Sequence, residues 1–257
     1  MHGIHRTIGT LLLGAGGLAC AAPYVPVTGG SFPSVLGKDA TAGLAQVAPY
    51  RMRRTPVSRA EFGRFIAAHP EWSRAGAPRA FVDDDYLADW RGDAADARGD
   101  APVTHVSWFA AQAFCEHEEA RLPTWLEWEF AAAADDTRAD ARGDSQWLAR
   151  ILGWYARPAS APLPPVGGRP NFYGVSDLHG LVWEWVDDFN ALLVNADSRS
   201  AGDGEKLKFC GAGAIDLLQR ENYAVLMRVA LLSSLKGSDS TSSLGFRCVQ
   251  PIPGVAR

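Results

Sequence analysis

Thiols, imidazoles and one polar run are the groups in this chain that could do chemistry. Cysteines stand at 20, 115, 210 and 248. Cys210, in Lys208-Phe209-Cys210-Gly211-Ala212-Gly213-Ala214, reads either as a small buried hydrophobe or as a redox thiol or soft metal ligand, since thiolate sulfur suits Cu(I). No His or Met adjoins it in sequence, so only folding could bring His179 or Met227 to it. Asp216, Arg220, Glu221, Tyr223 and Arg228 make an unusually ionisable run. It reads either as an acid/base and anion-binding site or as a salt-bridged surface turn followed by a capped edge strand. Beyond the N-terminus the imidazoles are His69, His105, His117 and His179. Non-haem iron needs a facial His/carboxylate set with open positions. His69 precedes a proline and His117 lies in a charged helical stretch, so neither is expected to ligate. Asp83, Asp84, Asp85, Asp89, Asp93, Asp96 and Asp100 form a carboxylate cluster; their spacing does not match a calcium-binding EF-hand loop, and a solvated loop is expected.

The elements that must position these groups are short. Tyr24 to Phe32 reads as an opening strand broken at Gly29-Gly30, and Val47 to Met52 as a second. Ser58 with Glu61 is a capping box opening a helix whose apolar face carries Phe62, Phe65 and Ile66. Ser107 caps a helix from Trp108 to about Glu119, and Thr124 caps another from Trp125 to Ala134. The polar stretch 135–144 and the Pro/Gly-rich stretch 158–170 are expected to be surface connections. Beyond them short aromatic and β-branched pieces alternate with Gly and Asn, which predicts irregular structure with a few strands. Composition alone gives a mixed α+β chain, with nine Trp suggesting aromatic-rich packing.

The N-terminus carries an expected export signal. His2, His5 and Arg6 precede the apolar run 11–18, and Ala19-Cys20-Ala21 fits a small-x-small cleavage site. The run is too short to span a bilayer. Residues 1–21 are therefore read as a signal peptide and 22–257 as one domain, periplasmic or secreted. Lipidation at Cys20 is the rival, disfavoured because Gly17 stands where Leu is usual. A net charge of −4 gives no footprint for nucleic acid.

Four segments recur in a fixed order: Pro102-Val103-Thr104-His105-Val106-Ser107-Trp108 running into Cys115; Arg121-Leu122-Pro123-Thr124-Trp125-Leu126-Glu127-Trp128-Glu129; Asn171-Phe172-Tyr173-Gly174 through His179-Gly180-Leu181-Val182-Trp183-Glu184-Trp185; and Leu244-Gly245-Phe246-Arg247-Cys248. Together they resemble the formylglycine-generating enzyme (sulfatase-modifying factor) family. Its superfamily includes the ergothioneine-synthase C-terminal domains and a periplasmic pyoverdine-maturation protein. The resemblance implies a complex, C-type-lectin-like α+β fold with little regular secondary structure. It also implies a disulfide between Cys115 and Cys248, which an oxidising compartment permits. By the same resemblance a structural calcium ion is expected at Glu184 with the carbonyls of Gly180 and Val182. Leu181 replaces the family's Asn there, which puts the local turn in question because Leu disfavours the left-handed region. Trp125 replaces a family Glu, while Glu127 and Glu129 remain and are read as braces of the fold.

The family's oxygen chemistry departs from this chain. Its copper-dependent members hold Cu(I) on a cysteine pair that would fall near Gln219 and Ala224, yet no Cys lies between 211 and 247. Copper is therefore doubtful, and that mechanism does not carry over. The pattern resembles an exported bacterial subgroup, including an accessory protein encoded with copper nitrite reductases. The expectation is a non-standard or non-catalytic homologue that binds a peptide or matures a periplasmic partner such as a copper enzyme. The alternative is a formylglycine-generating-type oxidase acting on a peptide cysteine or a small molecule.

Overall fold

The computed structural model describes residues 23–36, 44–90, 99–156, 162–192, 223–252 and 254. The expected signal segment lies outside them. Regular structure is sparse, as the α+β expectation has it. Strands β1 (Tyr24–Val27), β2 (Gly30–Phe32), β3 (Ala45–Val47) and β4 (Tyr50–Arg53) come first, followed by helix α1 (Arg59–Ala68) and a 3-10 turn at Pro70–Trp72. Helices α2 (Trp108–His117), α3 (Trp125–Ala132) and α4 (Ser145–Tyr155) occupy the middle. Strand β5 (Trp183–Glu184), a 3-10 turn at Phe189–Ala191, helix α5 (Tyr223–Ser233) and strands β6 (Leu244–Gly245) and β7 (Val249–Pro251) complete the order.

The first and last described strands meet in one sheet of order β1-β4-β7, with Val25 opposite Met52 and Met52 opposite Val249, all antiparallel. The Gly29-Gly30 break does separate β1 from a second ladder, β2 with β3. The last motif then threads the centre of the molecule. Cys248 accepts from Arg53 N–H, Phe246 from Val57 N–H, and Gly245 from Trp185 N–H. Gly245 pairs with Glu184 in the parallel β5-β6 ladder. A Cβ there would stand 2.6 Å from the Val103 carbonyl oxygen, so only glycine lets these backbones approach.

Capping fixes the helices where the sequence places them. Ser58 with Glu61 and Thr124 with Glu127 are complete capping boxes, and Ser107 accepts from Ala110 N–H. The α2 and α3 C-termini fall two residues short of the expected ends. Phe62, Phe65 and Ile66 are buried together, packed on Phe114 and Phe246. Cys115 and Cys248 are bonded, 133 residues apart. Closing so long a loop in the unfolded chain is worth about 4–5 kcal/mol in the chain-entropy account.

One expectation about loops is refined and another corrected. Asp84, Asp85, Asp89 and Asp100 are exposed, as a solvated loop has them, but two carboxylates of the stretch also hold the frame. Asp83 accepts from Ser240 N–H at 2.8 Å, and Asp89 pairs with the buried Arg59. These carboxylates tie a distant turn and a helix start, because a buried guanidinium needs a counter-charge wherever the chain can supply one. Asp93 and Asp96 lie outside the described residues. Helix signals do not stop after α3. Helix α4 starts on the Asp144 cap, and the described part of the segment read as a surface turn and edge strand, from Tyr223 on, is α5.

Candidate functional site

Of the residues singled out from sequence, Cys210, Asp216, Arg220 and Glu221 lie outside the described residues. Tyr223 begins α5, and its side chain is likewise not described. Arg228 is placed clearly. With Val225, Val229 and Leu232 it occupies the i, i+3, i+4, i+7 stripe that faces the core, and it is fully buried. Its Nη2 donates to the Glu184 carbonyl at 2.8 Å, and its guanidinium lies 3.6 Å from the Trp128 ring centroid. Nε and Nη1 meet no acceptor, nor does the buried Tyr155 hydroxyl. Burial pushes the Arg228 pKa down to about 10, so it stays charged at neutral pH. Buried donors without acceptors cost stability; here they belong to one cation and one phenol.

Glu184 sits at the indole N–H edge of Trp128. Arg247 Nε donates to its two oxygens at 3.0 and 2.9 Å, Arg247 Nη2 donates at 2.8 Å, and Trp128 Nε1 donates at 2.8 Å. Both Glu184 and Arg247 have no exposed side-chain surface. Arg247 is itself held by the carbonyls of Arg53 and Ser176. A carboxylate clasped by a guanidinium already has its counter-ion, and a calcium ion would be set against Arg247. As arranged, Gly180, Val182 and Glu184 do not fit the expected calcium site. The turn itself forms despite Leu181, because Gly180 takes the left-handed conformation (φ +101°) and Leu181 turns its side chain into the core.

Beside this lock opens a cavity of about 460 Å³ between α4 and the 169–180 segment. Trp147, Ile151 and Trp154 form its apolar wall, with Arg150, Arg169 and His179 among its polar lining. Asp135 is kept well below the usual carboxylate range by hydrogen bonds from Arg138 and nearby backbone N–H groups, and Asp136 pairs with Arg169. His179 packs edge-on against Trp128 and Trp147. Its Nε2 lies 2.9 Å from the Ala132 carbonyl oxygen, which assigns the proton to Nε2. That leaves Nδ1 as a buried acceptor with no donor. Burial lowers the ring's pKa to about 4, so it is a neutral hydrogen-bond acceptor at physiological pH.

The cavity's aromatic wall went unread in the sequence, although the signal was there: Asp144 is an N-cap, and Trp147, Ile151 and Trp154 recur at helical spacing. Glu127 and Glu129 hold the frame as expected. Glu127 takes a bidentate pair from Arg121. Glu129, buried and raised in pKa by that burial, accepts from Ser34, Val35 N–H and Trp125. Among the described residues no three His, Cys, Asp or Glu side chains converge on one point.

Comparison with known proteins matches residues 19–252 to the sulfatase-modifying factor enzyme 1-like domain. Hercynine oxygenase of Mycolicibacterium smegmatis is 33% identical over 206 residues, covering 68% of this chain but only 47% of that protein; the chain spans about half the length of such relatives. Formylglycine-generating enzyme of Streptomyces coelicolor is 30% identical, covering 78% of this chain and 77% of the enzyme. Inactive C-alpha-formylglycine-generating enzyme 2 of Mus musculus is 29% identical, covering 87% and 84%. Among solved structures, CarF matches at TM-score 0.45 and 20% identity, covering 89% of this chain and 98% of that one. PvdO from Pseudomonas aeruginosa matches at TM-score 0.45 and 17% identity, covering 89% and 94%.

Proposed function

From the premise that this chain belongs to the sulfatase-modifying factor enzyme 1-like family, we propose that it is an exported member that binds a peptide or a periplasmic protein without the family's thiol–copper oxidation. The carrying observation is the absence of any Cys between 211 and 247 in a chain that keeps the Cys115–Cys248 frame. A Cu(I) centre needs soft donors. Gln219 and Ala224 supply none, and Cys210 is a lone thiol in sequence. An inactive paralogue stands among the similar proteins, so loss of chemistry on a kept scaffold has a parallel there.

The cavity supports binding. Trp147 and Trp154 offer flat apolar contact, while Arg150 and Arg169 give a ligand polar groups to orient against. A periplasmic copper enzyme is the partner class this reading favours. The formylglycine-generating reading is supported by the formylglycine-generating enzymes among the relatives.

One assay separates the two. Purified protein incubated with Cu(I), oxygen and a Cys-x-Pro-x-Arg peptide is expected to yield no aldehyde by mass spectrometry. Formylglycine formation above a metal-only control overturns the proposal and restores the oxidase reading.

A further inference from the structure

His69 and His117 lie 48 residues apart in sequence yet touch, with His69 Nε2 3.0 Å from His117 Nδ1. His69 is the C-cap of α1 and His117 the last residue of α2. The two helices are locked behind the pair by Phe62, Phe65 and Phe114. Phe65 also backs both imidazoles, at 4.9 and 5.6 Å between ring centroids. The outer nitrogen of His69, Nδ1, is 3.2 Å from a Glu71 carboxylate oxygen. That contact places the Nδ1 proton toward Glu71 and leaves Nε2 with its lone pair aimed at His117. A carboxylate behind a ligating imidazole is the arrangement that fixes tautomer and raises donor strength at metal centres.

From this geometry we infer that His69 and His117 form a surface site for a divalent late first-row transition ion, with Glu71 orienting His69. Two imidazole nitrogens bound to one ion at about 2.0–2.1 Å, between a right angle and the tetrahedral angle, stand about 2.9–3.4 Å apart. The observed separation lies inside that range, so the ion needs little ring movement. His117 gives up Nδ1 by shifting its proton to the exposed Nε2, with no net proton release. Water fills the remaining positions, which makes the ion exchangeable rather than structural. Imidazole donors order the preference as Cu(II) over Ni(II) and Zn(II). The site lies on helix ends outside the cavity and is independent of the function proposed above.

The test uses the full chain with Cys20→Ser and Cys210→Ser, so that thiols do not compete, and His2→Gln with His5→Gln. Zn(II) is titrated calorimetrically and Cu(II) is followed by electron paramagnetic resonance. One ion per chain is expected, with nitrogen superhyperfine structure in the Cu(II) spectrum. His69→Ala and His117→Ala should each weaken binding at least tenfold, and Glu71→Gln by about tenfold. Parent-like affinity in either alanine variant, or no binding by the parent, overturns the inference. Either variant decides alone, once the Cys115–Cys248 bond is confirmed in it by peptide mapping.

Discussion

Two polar regions meeting around Trp128 differ in kind. In one, Glu184 and Arg247 satisfy each other, and the spare guanidinium hydrogens go to the carbonyls of Arg53 and Ser176. In the other, Arg228, Tyr155 and His179 keep donors and an acceptor that nothing in the described chain meets. The first region is a closed structural lock joining β5 to the C-terminal motif. The second retains hydrogen-bonding capacity that folding leaves unspent, next to a cavity with aromatic walls. Satisfied buried charge belongs to the frame, and unsatisfied buried polarity marks where a ligand is to be sought.

That contrast predicts unequal responses to mutation. Glu184→Ala strands Arg247 as an unpaired buried charge and should destabilise by about 3–5 kcal/mol in urea unfolding. A loss below about 1 kcal/mol would mean the lock carries no more than the cleft does. Acid should act through the other region. The His179 pKa falls to about 4 when folded, from an ordinary value of 6.5. Its contribution is therefore complete above pH 6.5, where both states are neutral. It is lost as pH falls toward 4, where only the unfolded state gains the proton, at up to about 1.4 kcal/mol per pH unit. His179→Gln, which retains a donor for Ala132, should flatten the melting temperature between pH 6.5 and 4 relative to the parent. An unchanged slope would assign the acid sensitivity elsewhere. The smallest effect is expected at Arg228→Met. Removing a buried cation with unused donors offsets the lost bond to the Glu184 carbonyl, so stability should stay within about 1 kcal/mol of the parent. A loss approaching that of Glu184→Ala would erase the distinction between the two regions.

Much of the frame was legible before folding. The caps at Ser58, Ser107 and Thr124 are local, since a hydroxyl three residues before a free N–H sees the same chemistry in any fold. The Cys115–Cys248 bond came from resemblance, because no local rule pairs residues so far apart. The site was less legible. Arg228 looked like a surface charge because charge normally predicts solvent, and only the Val225, Val229 and Leu232 stripe of α5 shows that it faces inward. In the mostly exposed Asp-rich stretch, the partners of Asp83 and Asp89 were illegible for the same reason, being remote in sequence.

By itself, the order of residues determined where the capped helices start and that no Cys lies between 211 and 247. Those are statements about short-range chemistry and residue identity, which a linear chain carries complete. Tertiary structure alone decided that Glu184 is clasped by Arg247, that Arg228 and His179 are walled in beside Trp128, and that His69 meets His117. Each depends on which groups long-range packing brings within a few ångströms. At that distance desolvation and pairing set whether a charge braces the fold or is left available to bind.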